Sequence, residues 1–253
     1  RDAQESRGLG DVYKRQKVRR KKERKMITTI LWDVDGTLLN FLAAEKAAIR
    51  SLFEEYHLGV CSDEMLKRYS SINKNYWEML ERGEIEKKAL LVGRFRDFFE
   101  KEGIDSSLAA EFNEKYQLRL GDTIVYCDDS LEIVKSLREK VKQYVVSNGT
   151  VIAQTKKLRL SGLGELMDGI FLSEELGVEK PSVRFFDQVF AKIGPVDRSE
   201  VMIVGDSLTG DIRGGNNAGI LTCWYNPEGT AAKEAVRIDH EIRDLHEVYV
   251  LLK

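Results

Sequence analysis

The chain has 253 residues, a hydrophobic fraction of 42% and a formal net charge of −2. That length can bury the core of one large or two small domains, and no apolar run approaches the ~18 residues that a membrane span needs. The three cysteines lie far apart without a CxxC pair, which argues against a disulfide framework and favours a cytoplasmic protein with reduced thiols.

The amino-terminal segment is strongly basic. Residues 1–25 carry 11 Lys or Arg and 4 Asp or Glu, a net charge of +7, against −9 for the remainder. Such a run could bind nucleic acid, but it lacks the apolar region of a secretory signal and a clear amphipathic period. Because Met26 stands directly before the first predicted strand, we expect the protein to start there. Residues 1–25 are then a disordered tail or a gene-assembly scar, and no nucleic-acid partner is expected.

The segment ITTILWDVDGT, residues 27–37, predicts a short strand that ends in a carboxylate. Residues i and i+2 of an extended chain point the same way, so Asp33 and Asp35 leave the strand side by side. Gly36 permits a backbone conformation closed to other residues, and Thr37 adds a hydroxyl. Two such carboxylates suit metal binding, or a nucleophile paired with an acid/base. An ordinary strand exit stays open, whereas a calcium EF-hand loop is excluded because its Gly and Glu positions do not match.

The next 80 residues are predicted to be entirely helical. Apolar spacing and capping residues indicate helices at about 42–56, 63–82, 84–101 and 107–118. No convincing strand interrupts them, so we predict an all-helical insert at 41–120.

The pattern then alternates between strands and helices. Strands are predicted at 141–146, 169–173, 201–204 and 220–224, and helices at 129–139, 151–160, 182–193 and 245–252. This alternation indicates an α/β fold with a Rossmann-like parallel sheet. Polar clusters (DVDGT, SNGT and GDSLTGD) follow three of the strands, and ligands of open α/β sheets bind at the carboxyl ends of strands. We therefore expect these three loops to meet in one crevice.

Four short motifs now stand in order along the chain. They are Asp33-x-Asp35-Gly36-Thr37, Ser147-Asn148-Gly149, Lys180-Pro181, and Gly205-Asp206 followed by Asp211. Each motif alone is weak, but their order and placement resemble the haloacid dehalogenase superfamily of phosphohydrolases. The resemblance covers residues 26–253. It implies a core made of 26–40 and 121–253, and a helical cap at 41–120 between the first two motifs.

The resemblance also implies a chemistry for the motif residues. Asp33 would be the nucleophile that forms an aspartyl-phosphate, and Asp35 the acid/base, which leaves phosphatases and phosphomutases rather than dehalogenases. Mg²⁺, with Mn²⁺ as a substitute, would be held by Asp33, the Asp35 carbonyl and Asp206, supported by Asp211. The phosphate would be bound by the remaining motif residues, namely Thr37, Ser147, Asn148, Gly149 and Lys180.

Three longer stretches of the sequence make the resemblance more specific. SINKNYWEMLERGEIEKKALLVGRF, SEELGVEKP and GDSLTGDIRGGNNAGILTCWYN are similar to the bacterial pyrimidine 5′-nucleotidases that clear noncanonical nucleotides. This similarity implies that Asn73, Trp77 and Arg94 contact the nucleoside. The alternative for Trp77 is packing between cap helices.

Several functions stay open at this point. The leading hypothesis is a Mg²⁺-dependent phosphohydrolase of nucleoside 5′-monophosphates, with pyrimidines preferred. The alternatives are a phosphatase for a small sugar phosphate or phosphoglycolate, a phosphomutase, and nucleic-acid binding through residues 1–25, which the acidic body disfavours. The expected partner is a small phosphate ester, without a membrane, in a monomer or homodimer.

Overall fold

A computed structural model describes residues 26–252. Six strands form one parallel sheet in the order β3-β2-β1-β4-β5-β6. The strands are β1 (Thr29–Trp32), β2 (Lys142–Ser147), β3 (Gly169–Leu172), β4 (Val201–Gly205), β5 (Leu221–Tyr225) and β6 (His240–Ile242). Because all six run in the same direction, their carboxyl ends share one edge of the sheet. The predicted α/β fold with a Rossmann-like parallel sheet is confirmed.

The register fixes which strand ends are neighbours. Trp32, the last residue of β1, lies opposite Val145 of β2 and Val204 of β4. The next residue, Asp33, continues the ladder by donating its backbone N–H to the Val204 carbonyl at 3.0 Å. The first motif therefore leaves the sheet between the strands that carry the second and the fourth.

Helices cover both faces of the sheet. Along β1, Ile30 and Trp32 pack into one apolar cluster and Leu31 into the other, so the strand is buried on both sides. Parallel strands buried on both faces are typically apolar, as Ile30, Leu31 and Trp32 of β1 are. Outside the insert the helices are α5 (Ser130–Leu137), α6 (Val151–Leu160), α7 (Ser173–Leu176), α8 (Val183–Ile193), α9 (Arg213–Ala218) and α10 (Val248–Leu251).

Four helices lie between β1 and α5: α1 (Phe41–Glu55), α2 (Asp63–Glu81), α3 (Lys87–Glu102) and α4 (Ala109–Arg119). Ser62 caps α2 by accepting the Met65 backbone N–H at 3.2 Å, as its sequence position predicts. Gly103 ends α3 with a φ of 69°, a conformation that costs glycine little. Residues 41–120 contain no strand in the structure.

Aromatic side chains fill the centre of this helical insert. Tyr69 and Phe95 stack with their ring centroids 4.9 Å apart, and Phe112 meets Phe99 edge-on at 5.0 Å. All four rings are fully buried. The insert therefore has an apolar core of its own, as a separately folded unit requires.

The structure differs from the sequence-based elements in a few places. The third helix begins at Lys87 rather than at 84, and the predicted strand at 141–146 is shifted by one residue to Lys142–Ser147. Strand β6 was not predicted; three edge residues carry too little periodicity to be recognised. Every helix within 26–252 is too short or too polar to cross a membrane. The expectations for residues 1–25 lie outside the described residues.

A buried carboxyl group lies inside the insert. Glu45 of α1 accepts hydrogen bonds from Ser70 and, at 2.9 Å, from the Asn73 amide. Burial raises the pKa of Glu45 to about 7, although Ser70 and the nearby Arg94 act in the opposite direction. As pH rises from about 4.5 to about 7, the unfolded chain loses this proton before the folded protein does. Glu45 therefore makes folding less favourable over that window.

We predict that Glu45→Gln flattens this pH dependence. Because a neutral amide does not titrate, the variant should lose less stability than the wild type between about pH 5 and pH 8. Over that range, the difference between the two free energies of unfolding should change by up to roughly 3 kcal/mol in favour of the variant. Urea-induced unfolding of both proteins at the two pH values measures the difference. Parallel pH profiles would show that Glu45 is not a buried titrating group.

Candidate active site

Lys180 lies at the centre of the acidic crevice. Its ammonium group donates to Asp33 at 2.8 Å, to Asp211 at 2.6 Å and to the Val146 carbonyl at 2.8 Å. The Lys180 side chain is only 2% exposed, so its charge is compensated by protein groups rather than by water. Although burial lowers the pKa of Lys180, Asp211 and Asp33 together raise it above its ordinary value. The lysine therefore stays charged and joins two of the motif carboxylates.

A third carboxylate completes the cluster. Oxygen atoms of Asp33, Asp206 and Asp211 lie within 4.8 Å of one another. Asp206 follows β4, and its backbone carbonyl accepts the Trp224 indole N–H at 3.0 Å, which fixes the chain where it leaves the sheet. Three carboxylate oxygens at this spacing form the kind of donor set that Mg²⁺ and Mn²⁺ prefer. These residues thus fit the metal that the resemblance implies.

Burial and neighbouring carboxylates raise the pKa values of two carboxyl groups in this crevice. Burial, followed by the Asp211 and Asp206 charges, raises the pKa of Asp33 despite Lys180. Loss of solvation and the facing Asp211 and Glu81 raise the pKa of Asp206. One ammonium group does not offset three carboxylates, and a divalent cation would favour their ionised forms.

Glycine is required beside this cluster. Gly36 has a φ of 93°, and a Cβ atom there would lie 2.6 Å from an Asp206 carboxylate oxygen. Thr37, fully buried, donates its hydroxyl to the same carboxylate at 3.3 Å. The turn after Asp35 is therefore shaped around Asp206, and the Thr37 hydroxyl contacts that side chain.

The second motif is locked to the third. The Asn148 side chain donates to the Lys180 carbonyl at 3.0 Å and accepts the Lys180 backbone N–H at 2.8 Å. Ser147, 1% exposed, accepts the Gly149 backbone N–H at 3.0 Å. The Asn148 amide thus fixes the loop that carries the lysine, and the Ser147 hydroxyl remains at the strand end beside it.

Asp35 has different surroundings from Asp33. Its carboxylate is not one of the three in the acidic cluster. One oxygen accepts from the Lys157 ammonium and the other from the Gln154 amide, each at 2.5 Å. Neither α6 residue was singled out from the sequence, where a Gln and a Lys on a helix look like ordinary surface residues.

A small cavity separates the helical insert from the sheet. Its walls include Asp35, Trp77, Arg94, Gly149, Gln154 and Lys157. At about 20 Å³ it has room for roughly one water molecule. Trp77 and Arg94 therefore lie on the wall of the same cavity as Asp35, and their contact with a nucleoside stays a prediction.

Asn73 lies behind Arg94 rather than on the cavity wall. Its amide donates to Glu45 and accepts from one terminal nitrogen of Arg94 at 2.6 Å. The other terminal nitrogen of Arg94 donates to Asn113 at 3.1 Å, and its Nε has no partner among residues 26–252. Asn73 therefore contacts Arg94 in the structure, and its contact with a nucleoside stays a prediction.

Glu81 links the helical insert to the acidic crevice. This last residue of α2 accepts hydrogen bonds from Ser207, at 2.8 Å, and from Thr209 in the turn that carries Asp211. Burial raises the pKa of Glu81 to about 7. The sequence offered no signal for this contact, because Glu81 stands among several charged residues at a helix end.

Comparisons with known proteins agree with this geometry. A family model described as haloacid dehalogenase-like hydrolase matches residues 27–219. HAD-hydrolase YfnB of Bacillus subtilis is 35% identical over 90% of this chain and 96% of its own length. Pyrimidine 5′-nucleotidase PynA of Streptococcus pneumoniae is 36% identical over 78% of this chain and 83% of its own. Pyrimidine 5′-nucleotidase YjjG of Escherichia coli is 29% identical over 88% and 96%.

A solved structure extends the comparison. The magnesium-bound crystal structure of YfnB, which reveals interdomain movement in that protein, superposes with a TM-score of 0.84 at 34% identity. It covers 90% of this chain and 100% of the YfnB chain. The prediction of a phosphoric monoester hydrolase is confirmed at the level of enzyme class by the family match and the nucleotidase relatives.

We predict that Mg²⁺ raises the melting temperature, and that Asp206→Asn and Asp211→Asn each reduce this rise by weakening the metal site. A ligand at a hundredfold excess over its Kd stabilises a protein by about 2.7 kcal/mol, which a thermal melt detects. Asp187→Asn, which changes an exposed carboxylate paired with Arg198, serves as the control. A wild-type Mg²⁺ response in Asp206→Asn would remove that residue from the metal site.

Proposed function

The chain belongs to the haloacid dehalogenase-like hydrolase family, and on that premise we propose a Mg²⁺-dependent phosphohydrolase of nucleoside 5′-monophosphates, with pyrimidines preferred. The reaction proceeds through an aspartyl-phosphate on Asp33. Residues 41–120 act as a cap over a core made of 26–40 and 121–253. The free cysteines Cys61, Cys127 and Cys223 favour a reducing compartment, and we place the enzyme in the cytoplasm.

The observation that carries this proposal is that Asp33 and Asp35 lie in different surroundings. Both leave β1, but Asp33 pairs with Lys180 in the acidic cluster, whereas Asp35 lies outside the cluster and faces the cap-side cavity. Two carboxyl groups in different environments serve different roles in many hydrolases. Asp33 is suited to nucleophilic attack, and Asp35 to proton transfer at the leaving group.

Side-chain and backbone groups of the chain then act in successive steps of the proposed reaction. An Asp33 oxygen attacks phosphorus, and Asp35 donates a proton to the departing 5′-oxygen. Lys180, the Ser147 hydroxyl and the backbone N–H groups of Asn148 and Gly149 stabilise the charge on the phosphoryl oxygens. Asp35 next accepts a proton from the water that releases phosphate from Asp33. Bound Mg²⁺ would supply charge neutralisation for the approach of an anionic phosphate to a carboxylate.

The substrate class rests on the cavity beside Asp35. Trp77 offers an aromatic face, and Arg94 offers an Nε–H that has no partner among residues 26–252. This combination suits a planar base with carbonyl oxygens. The names of PynA and YjjG, both pyrimidine 5′-nucleotidases, support the same class. The present cavity is far too small for a nucleoside, so the cap must move, as the interdomain movement of YfnB suggests by analogy.

The small cavity also favours a second candidate. A space of about 20 Å³ holds neither leaving group, but a short one needs a smaller movement of the cap than a nucleoside does. A sugar phosphate or phosphoglycolate would then be the substrate. A phosphate-release screen over nucleotides, sugar phosphates and phosphoglycolate separates the two candidates, since sugar phosphates cleaved faster than every nucleotide would overturn the leading one.

We predict that Asp33→Asn abolishes turnover while the protein stays folded, because an amide does not form an acyl phosphate. Asp35→Asn should lower kcat by ~10²–10⁴-fold through loss of proton transfer, while the Mg²⁺-induced rise in melting temperature persists. Steady-state assays and thermal melts on both variants test this. Full activity in Asp33→Asn would contradict the covalent mechanism.

We predict that Trp77→Ala lowers kcat/KM for uridine 5′-monophosphate much more than for p-nitrophenyl phosphate. Loss of a stacking contact costs about 1–3 kcal/mol per base, or roughly 5- to 150-fold. Tyr56→Ala, which removes a cap aromatic that packs on Phe112, is the control and should leave the ratio unchanged. Equal losses on both substrates would make Trp77 a packing residue.

A further inference from the structure

We infer that Gln154 and Lys157 are positioning residues that hold the Asp35 carboxyl group in its orientation for proton transfer, from its protonated form to the leaving group and then, as the carboxylate, from the attacking water. This inference rests on the proposed function, because it gives Asp35 the acid/base role. Neither residue belongs to the motifs from which the site was recognised. Together with Asp35 they form an arrangement that we call the Asp35 clamp.

The geometry of the clamp is specific. Gln154 and Lys157 stand three residues apart on α6 and therefore on one face of the helix. The Lys157 Nζ donates a hydrogen bond to one Asp35 oxygen and the Gln154 Nε2 donates to the other, each at 2.5 Å. Because both oxygens are bound from the same helix, rotation of the carboxylate is restricted.

The burial of Lys157 supports its role in holding the Asp35 carboxyl group. Its side chain is 2% exposed, and its ion pair among residues 26–252 is with Asp35, which is 23% exposed. The ammonium group also lies 5.2 Å from the centre of the Phe41 ring. Burying a lysine costs free energy unless its charge is paired, so an apolar residue would serve better if packing were all that this position required.

The chemistry of Gln154 fixes its orientation. A carboxylate only accepts hydrogen bonds, so the amide nitrogen must face Asp35 and the carbonyl oxygen must face away. That oxygen is buried and has no partner among the described residues, and Gln154 is one of the residues that line the cavity. A Cβ atom at Gly149 would lie 2.2 Å from the Gln154 Nε2, so the second motif leaves room for this side chain. The clamp is thus fitted against the phosphate-binding loop.

The effect of the clamp depends on the leaving group. A 5′-alkoxide needs a proton as it departs, whereas p-nitrophenolate departs without one. The value of kcat/KM reports the steps up to the first irreversible one, here the formation of aspartyl-phosphate. A misplaced Asp35 therefore lowers kcat/KM for a nucleotide and spares the nitrophenyl ester.

The test uses Lys157→Met and Gln154→Met, which keep the length of the side chain and remove its hydrogen bond to Asp35. For each, kcat/KM for uridine 5′-monophosphate should fall ~10-fold or more relative to that for p-nitrophenyl phosphate. The matched control is Lys156→Met on the same helix, whose ammonium bonds to the Leu118 carbonyl and should leave that ratio unchanged. The Mg²⁺-induced rise in melting temperature should persist in all three.

Two further variants distinguish loss of the contact with Asp35 from misfolding. Lys157→Arg keeps a cation beside Asp35 and should retain most of the wild-type ratio, whereas Gln154→Glu places a second anion there and should lower it like the Met variants. A wild-type ratio in Gln154→Glu and Lys157→Met, or equal losses on both esters, would overturn the clamp. A wild-type protein that hydrolyses neither ester would overturn the proposed function as well.

Discussion

The site depends on one buried ammonium group among converging carboxylates. Parallel strands deliver Asp33, Asp206 and Asp211 to the same edge of the sheet, where their charges repel at short range. Lys180 bridges two of them, and its own loop is fastened to the end of β2 through Asn148. Without that lysine the cluster would keep its full repulsion in a poorly solvated crevice. The acidic cluster that can hold a metal and the buried Lys180 charge are thus parts of one arrangement.

A second network ties the helical insert to this edge. From Glu45 it runs through Asn73 to Arg94, and then through the amides of α4 to the Thr150 hydroxyl that follows the second motif. Glu81 makes a separate contact with the turn that carries Asp211. The insert thus contacts both the loop that follows β2 and the turn that carries Asp211. A shift of the insert changes the surroundings of Asp35 and of the acidic cluster together.

The sequence was most informative where function depends on position along a strand. Asp33, Asp206 and Asp211 were expected to meet because strand ends in a parallel sheet converge, whereas Lys180 was singled out by its place in the order of motifs. Gln154, Lys157 and Glu81 were missed because their role depends on which helix face packs against the crevice, and periodicity does not distinguish a buried Lys from a surface one. That Arg94 lines the same cavity as Asp35 is seen only in the structure, and its contact with a nucleoside stays a prediction. That Asn73 holds Arg94 follows only from side-chain packing.

The covalent step on Asp33 is the claim on which the proposed mechanism depends. Acid quenching during turnover of a pyrimidine 5′-monophosphate, followed by borohydride reduction, converts an acyl phosphate on Asp to homoserine, which peptide mass spectrometry locates. We expect homoserine at position 33. Active enzyme that yields no homoserine there, or yields it at another carboxylate, would contradict the account.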